Sequence, residues 1–331
     1  MALEANYCRV QLDQPGPSGV QQLLCVRRTR LGKTGQQICA GDRVQVDGID
    51  WPAARGAIAA LEPRQTLLER PAVANCTRVV VAVALDQPPL DPLQLTRFLL
   101  TAERTGVAVE LVLTKADLLE PAAARAWAER LRGWGYGPLL VSAREGTGMA
   151  ELRERLREPG IAVLCGPSGV GKSSLINALL PELALRVSAV SGRLQRGRHT
   201  TRHVELYPLA PGALLADTPG FNRPDLPVDP LALGPLFPEV RQRLDGRSCR
   251  FSNCLHRGDP GCAVGSDWDR HGLYLACLEA AQAQAEREPG RSRREGPQQL
   301  DQRLRQPSRR RQRQGDPSAE DSGPLSPGPA D

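Results

Sequence analysis

The run Gly166-Pro167-Ser168-Gly169-Val170-Gly171-Lys172-Ser173-Ser174 has the spacing of a phosphate-binding P-loop. Its glycines let successive backbone N–H groups turn toward phosphate oxygens. The helix expected to follow adds the partial positive charge of its N-terminus. Lys172 is placed to reach the β- and γ-phosphates of a nucleotide, and the Ser173 hydroxyl to ligate Mg²⁺. Downstream, Asp217-Thr218-Pro219-Gly220 reads as a segment that senses metal and γ-phosphate. There the Asp217 carboxylate would hold Mg²⁺ through water, and the Gly220 amide would touch the γ-phosphate.

A third segment, Thr114-Lys115-Ala116-Asp117, has the residues to read guanine. The Asp117 carboxylate can accept hydrogen bonds from the N1–H and N2–H₂ of guanine, whereas adenine lacks that donor pair and would leave it unpaired. Lys115 would lay its stem over the base. Ser142-Ala143 fits a second base-side loop, with the Ala143 amide meeting guanine O6. Thr114 stands where many GTPases have Asn. The base-reading segment ordinarily follows the P-loop and the metal-sensing segment, but here it precedes both, so the sequence predicts a circularly permuted GTPase that binds GTP and GDP.

Between P-loop and Asp217 lies Gly197-Arg198-His199-Thr200-Thr201-Arg202. One of its threonines should close over Mg²⁺ and the γ-phosphate, with Thr201 favoured over Thr200. Many GTPases orient the attacking water with a glutamine just after the Gly220 position. Phe221 cannot do so, and His199 is the nearest polar candidate by sequence. Unassisted hydrolysis is therefore expected to be slow and to depend on a partner that orders this loop.

Cys249-x₄-Cys254-x-His256-x₅-Cys262 supplies three thiolates and an imidazole at metal-ligand spacing. Such a set closes a tetrahedral Zn²⁺ site with no position left for water, so it predicts one structural zinc rather than a catalytic one. The surrounding region shows little core of its own, and the metal is expected to contribute folding energy there.

These residues need elements to position them. Residues 1–67 alternate short strand signals, among them Val20–Val26 and Arg43–Val46, with glycine turns, and predict a small β-barrel of OB-fold or SH3-like type. Residues 68–223 alternate strands and helices in the manner of a doubly wound α/β domain, with the motifs at strand C-termini. Asp91-Pro92 should cap and start a helix. Residues 224–288 read as a mostly helical zinc domain. The segment 289–331, rich in Arg, Gln, Pro and Ser, lacks the apolar content to fold.

The chain has 331 residues and a net charge of +6, a balance compatible with an acidic partner such as nucleic acid. Its longest apolar run, Val79–Leu85, is too short to span a bilayer, and no secretory signal is evident at the N-terminus. Six of nine cysteines are scattered without framework spacing, which fits a reducing cytoplasm.

A β-barrel, then a G domain ordered Thr-Lys-Ala-Asp, Ser-Ala, P-loop, His-Thr-Thr, Asp-Thr-Pro-Gly, then a Cys/Cys/His/Cys module, resembles the RsgA (YjeQ) family over about residues 1–285. Gly197–Thr201 and the cysteine–histidine spacing carry the resemblance. It implies an OB-fold for the barrel and His199 as catalytic histidine. It also implies a monomeric cytoplasmic GTPase of late 30S ribosomal subunit maturation that grips 16S rRNA through its outer domains and is released after subunit-stimulated hydrolysis. The permutation joins the zinc domain directly to the γ-phosphate sensor, so the phosphate is expected to reposition that domain.

Overall fold

The computed structural model describes residues 7–28, 37–69, 72–183, 204–217, 224, 226–227 and 229–287. Strands β1 (Tyr7–Gln11), β2 (Gln22–Arg27), β3 (Val44–Asp50) and β4 (Arg55–Leu61) form one sheet in the order β1-β2-β4-β3. The β2–β4 pairing is parallel and the other two are antiparallel. Alternation along β1 and β2 sends Cys8, Val10, Leu23 and Cys25 inward, where they pack with Ile38 and Ile58. This is the strand-built N-terminal unit expected, with more strands than the two the sequence picked out. A hairpin of β5 (Leu67–Glu69) and β6 (Ala72–Ala74) follows, and Val73 bridges to Ala40. Leu68, Val73 and Ala40 pack into the core of the central domain, which ties the two units together.

The central sheet contains β7 (Cys76–Ala84), β8 (Ala108–Thr114), β9 (Leu139–Leu140), β10 (Gly160–Cys165), β11 (Glu205–Ala210) and β12 (Ala213–Asp217). Their spatial order is β11-β12-β10-β7-β8-β9, all parallel except β11. Strand β7 is buried on both faces. Val79, Val81 and Val83 enter one core, and Val80, Ala82 and Ala84 enter the other. Helices α1 (Pro92–Glu103) and α2 (Pro121–Gly133) cover the first face, whereas α3 (Met149–Arg155) and α4 (Lys172–Leu179) cover the second. Asp91 caps α1 as expected, its carboxylate accepting from the N–H groups of Leu93 at 2.8 Å and Gln94 at 3.2 Å. The doubly wound arrangement sends the C-terminal ends of β7, β8, β9, β10 and β12 to one edge, where such sheets bind ligands.

The C-terminal region opens with 3₁₀ turns at Pro230–Ala232 and Gly234–Leu236 and helix α5 (Pro238–Arg243). It ends in α6 (His271–Arg287), with turns in between. Contrary to the sequence reading, it has a substantial core. Leu233, Phe237, Val240, Val264, Tyr274, Cys277 and Leu278 pack together with Leu100 of α1. Phe237 meets Trp268 and Tyr274 edge-on, with centroids 5.8 and 5.1 Å away.

Arg270 fixes this region to α2. Its side chain is fully buried and makes a bidentate pair with Glu239 at 2.8 and 2.5 Å. The guanidinium carbon lies 4.6 Å from the Phe237 ring centroid and 4.7 Å from that of Trp134. Trp134 closes α2 and donates its indole N–H to Asp269 at 2.6 Å. Arg130 of α2 pairs with the same carboxylate at 2.7 Å. Hydrogen bonds from Arg130 and Trp134 hold the Asp269 carboxyl below the usual aspartate range, against the opposing effect of burial. Among the described residues, no helix is long and apolar enough to cross a membrane, and all nine cysteines are free thiols.

Candidate nucleotide site and metal cluster

The P-loop leaves β10 at Cys165 and enters α4 at Lys172. Gly166 has φ +141°, and a Cβ there would sit 2.0 Å from the Ala82 carbonyl oxygen of β7. Gly169 and Gly171 also take positive φ, +81° and +94°. The Lys172 ammonium folds back over the loop and donates to the carbonyls of Gly166 and Pro167, both at 2.7 Å. Burial holds its pKa below the ordinary lysine value, while Cys165 and Asp217 act in the opposite direction. Ser173 is exposed in the first turn of α4, and Asp217 ends β12 in register with Leu164 of β10. These are hard oxygen donors of the kind that suit Mg²⁺.

The base-side segments meet this loop through β7, which lies between β10 and β8. Thr114 is buried, and its hydroxyl lies 2.6 Å from the Val170 carbonyl of the P-loop and 3.1 Å from that of Val83. The residue that departs from the usual Asn thus supplies a donor to the P-loop. Replacing Thr114 with Val keeps the shape and removes the donor, leaving a buried carbonyl short of a partner at a cost of about 1–3 kcal/mol. The expected outcome in a fluorescent-nucleotide titration is an affinity loss of about tenfold for GDP and GTP alike, while Thr114→Asn binds close to wild type.

Lys115 adopts a left-handed backbone with φ 54°, a strained choice for a non-glycine residue. Its ammonium donates to the Gln87 carbonyl, and its Cε passes 3.9 Å from where a Gly171 Cβ would stand. The stem therefore lies along the P-loop rim. Asp117 follows in a one-turn 3₁₀ helix, Ala116–Leu118, and is half-buried. The Ala116 N–H donates to Val141 at 3.1 Å, joining this segment to the loop that carries Ser142 and Ala143. Ser142 is buried, and its Oγ accepts from the Glu145 N–H at 3.1 Å. Gly148 closes that loop at φ +69°, where a Cβ would meet the Leu140 carbonyl oxygen at 2.1 Å.

The structure thus brings together Thr114, Lys115, Ala116, Asp117, Ser142, Ala143, the 166–174 loop and Asp217 at one sheet edge. His199, Thr200, Thr201 and Gly220 lie outside the described residues. Sequence reasoning missed two contributors, the Gln87 carbonyl and Gly148. Asp86-Gln87-Pro88-Pro89 carries a turn signal, but such a signal does not say which carbonyl is used.

The cysteine–histidine cluster lies in the turns between α5 and α6. The ligand atoms of Cys249, Cys254, His256 and Cys262 are all within 4.8 Å of one another. His256 Nδ1 is 3.5 Å from Cys249 Sγ and 3.8 Å from Cys262 Sγ. A tetrahedral ion with ordinary Zn–S and Zn–N bonds requires edges of about 3.6 Å, so the four donors fit a metal. Backbone amides face the sulfurs: His256 N–H to Cys254 at 3.4 Å and Ala263 N–H to Cys249 at 3.3 Å. Burial pushes the Cys254 thiol up to about 11 and holds the His256 imidazole below its usual value. Burial also acts to raise Cys262, but the Gly265 and Val264 amides and the Cys254 and Cys249 thiols hold it below the ordinary thiol value. Gly234 packs on the His256 ring, where a Cβ would come within 2.8 Å of Cδ2.

Fold and site together define a circularly permuted GTPase, a GTP-hydrolysing enzyme whose base-side motifs precede its P-loop in the chain and adjoin it in space. The family model described as RsgA GTPase matches residues 61–227. A "Small ribosomal subunit biogenesis GTPase RsgA" of Parasynechococcus marenigrum (strain WH8102) is 58% identical over 279 residues, 84% of this chain and 93% of that protein. Its namesake from Synechococcus sp. (strain CC9311) is 59% identical over 279 residues, covering 84% and 92%. YjeQ from Thermotoga maritima superposes with a TM-score of 0.67 at 28% identity, over 80% of this chain and 92% of that one. YloQ, described as a circularly permuted GTPase, gives the same score and identity over 84% and 92%. The chain belongs to the RsgA GTPase family.

Proposed function

We propose that this chain is a GTPase of small-ribosomal-subunit maturation that binds the 30S subunit through 16S rRNA and leaves it after hydrolysis. The observation that carries the nucleotide half is the Thr114–Val170 contact, which joins base-reading and phosphate-binding segments into one site. The subunit half rests on the relatives whose names state that role. The chain acts as a cytoplasmic monomer in this reading. It divides into an OB-fold unit at 1–67, a G domain at 68–223, a zinc domain at 224–288 and an Arg-rich tail at 289–331. Distinct hydrophobic clusters centred on the first three support that division, with Ala40 and Leu100 crossing between neighbouring units.

In the mechanism we infer, Asp117 accepts the guanine N1–H and N2–H₂, Ala143 N–H meets O6, and Lys115 covers the base. The P-loop amides and Lys172, moving from its own loop carbonyls to phosphate oxygens, hold the triphosphate. Ser173, Asp217 and Thr201 would hold Mg²⁺, which supplies charge neutralisation on the phosphates. Gly220 senses the γ-phosphate, and His199 orients the lytic water on the subunit. Cys249, Cys254, His256 and Cys262 would hold one Zn²⁺, which fastens the turns between α5 and α6.

GTP turnover with and without purified 30S subunits tests the reading. Stimulation is expected, and turnover indifferent to subunits would instead favour a signalling GTPase with a protein partner. The base contact has its own check. Asp117→Asn replaces one acceptor by an amide donor, which suits the C2 carbonyl of xanthine. Competition binding should show selectivity moving from guanosine to xanthosine nucleotides. Metal removal is expected to act locally, because α6 packs in a core that includes Phe237, Val240 and Leu233. Hydrogen exchange after chelation should show protection lost over 246–265 and retained at Tyr274–Ala281. Uniform exchange across both would assign the metal to the whole domain, and unchanged exchange would remove its structural role.

A further inference from the structure

Phe251 is the most exposed large hydrophobic side chain among the described residues, at 55%. A lone exposed ring is ordinary on a protein surface, but here further observations attach to it. It sits between two cluster ligands, Cys249 and Cys254, and its carbonyl accepts from the Cys254 N–H at 3.2 Å. The preceding residue, Arg250, places its guanidinium carbon 5.5 Å from the Phe251 ring centroid. Arg250 is itself pinned, with its N–H donating to Gly261 at 2.9 Å. Gly261, at φ +89°, has no room for a Cβ, which would lie 2.9 Å from that of Arg250. Ser252 and Asn253 follow as exposed hydrogen-bonding groups, and Arg247 and Arg257 are exposed nearby.

The loop therefore holds out a cation, an aromatic plane, a hydroxyl and an amide in consecutive residues. We propose that Arg250-Phe251-Ser252-Asn253 is a stacking finger that takes an unpaired base of single-stranded RNA onto the Phe251 ring. The inference rests on the reading that the partner is ribosomal RNA, and it assigns one contact within it. Stacking on an aromatic side chain is tolerant of base identity because every base has a π-face, and it requires a base freed from a duplex. Electrostatics alone cannot carry the contact. Between 245 and 262, Arg247, Arg250 and Arg257 stand against Asp245 and Asp259, which leaves little net charge for phosphate attraction. The finger's share of the affinity should then depend weakly on salt, unlike contacts that release counterions.

The test uses the full chain and a fluorescein-labelled single-stranded oligoribonucleotide, with the same sequence annealed as duplex for comparison. Phe251→Leu retains apolar bulk and removes the ring, and Phe251→Trp retains a ring; metal content serves as the folding control for both. The expected result is an affinity loss of about tenfold for Phe251→Leu on the single strand. The fold-loss should be the same at low and moderate salt, with little change on duplex and full retention in Phe251→Trp. Equal losses on single strand and duplex would overturn the proposal, and so would an unchanged Phe251→Leu. A loss confined to 30S subunits, with oligonucleotide binding intact, would overturn it in favour of a protein contact. Wild-type chain that fails to bind 30S subunits at all would instead remove the parent reading.

Discussion

Gly166→Ala is expected to abolish high-affinity nucleotide binding, with at least a hundredfold loss for GTP and GDP and a matching fall in turnover. The added Cβ would lie 2.0 Å from the Ala82 carbonyl oxygen. That atom belongs to the backbone of β7, which is paired on both sides and cannot yield as a flexible side chain would. The φ of +141° adds a backbone penalty for any residue with a side chain. Together these effects cost about 2–5 kcal/mol, spent either on unfolding or on moving the loop. Moving the loop displaces the Gly166 and Pro167 carbonyls that hold Lys172 and shifts the backbone expected to bind phosphate. Gly106→Ala is the control, because Gly106 also has positive φ, +71°, but nothing lies within 4 Å of its added Cβ. It should lose about 1 kcal/mol of stability, as a single left-handed residue does, and bind nucleotide normally. Gly166→Ala binding within a few-fold of wild type would show that the loop reaches its working form by another route.

Arg270→Met should destabilise the protein by about 3–5 kcal/mol, the range for breaking a buried ion pair by removing one partner. The loss comes from Glu239, left buried with both oxygens deprived of their N–H donors. Trp134 and Phe237 also lose the cation between them. Replacing both members, as Glu239→Leu with Arg270→Met, should recover most of that stability, since an apolar pair of similar volume needs no partner. Urea unfolding of the single and double variants checks this. A single variant within 1 kcal/mol of wild type, or a double variant no better than the single, would contradict the assignment.

Much of the central domain was legible because its signals are local. The continuous apolar run Val79–Leu85 suited a buried parallel strand, and Asp91-Pro92 capped its helix as read. Apart from Gly197–Thr201, each nucleotide motif sat just after a predicted strand, so a parallel sheet had to gather those motifs at one edge. The N-terminal unit was less legible. Strand β1 has only five residues, with Cys8 and Val10 its inward positions, and β4 (Arg55-Gly-Ala-Ile-Ala-Ala-Leu61) is dominated by small residues without polar alternation, so neither carries a strong strand period. The core of the C-terminal region was missed because Phe237, Trp268 and Tyr274 follow no helical or strand period. They come from separate elements and meet only in the folded region. Thr114 looked like a weakened motif until its neighbour across β7 supplied the acceptor. Gln87 contributes a backbone carbonyl, and no residue type announces that in a sequence.

The Arg270 clamp changes what the permutation accomplishes. Sequence order joins the C-terminal region to the metal-sensing segment, and that continuity suggests motion driven by the γ-phosphate. The clamp fastens the same region to Trp134, at the end of α2. Helix α2 leaves the Asp117 turn at one end and leads into β9 and Ser142 at the other. In the proposed reading, a load applied to the metal loop by docked RNA would reach the two segments that carry Asp117 and Ser142. Thermodynamic reciprocity follows from that linkage: whatever factor the load imposes on nucleotide affinity, nucleotide imposes on the partner's affinity. Since GDP and GTP share the same base, this lever is blind to the γ-phosphate. It separates holding a nucleotide from sensing which one is held.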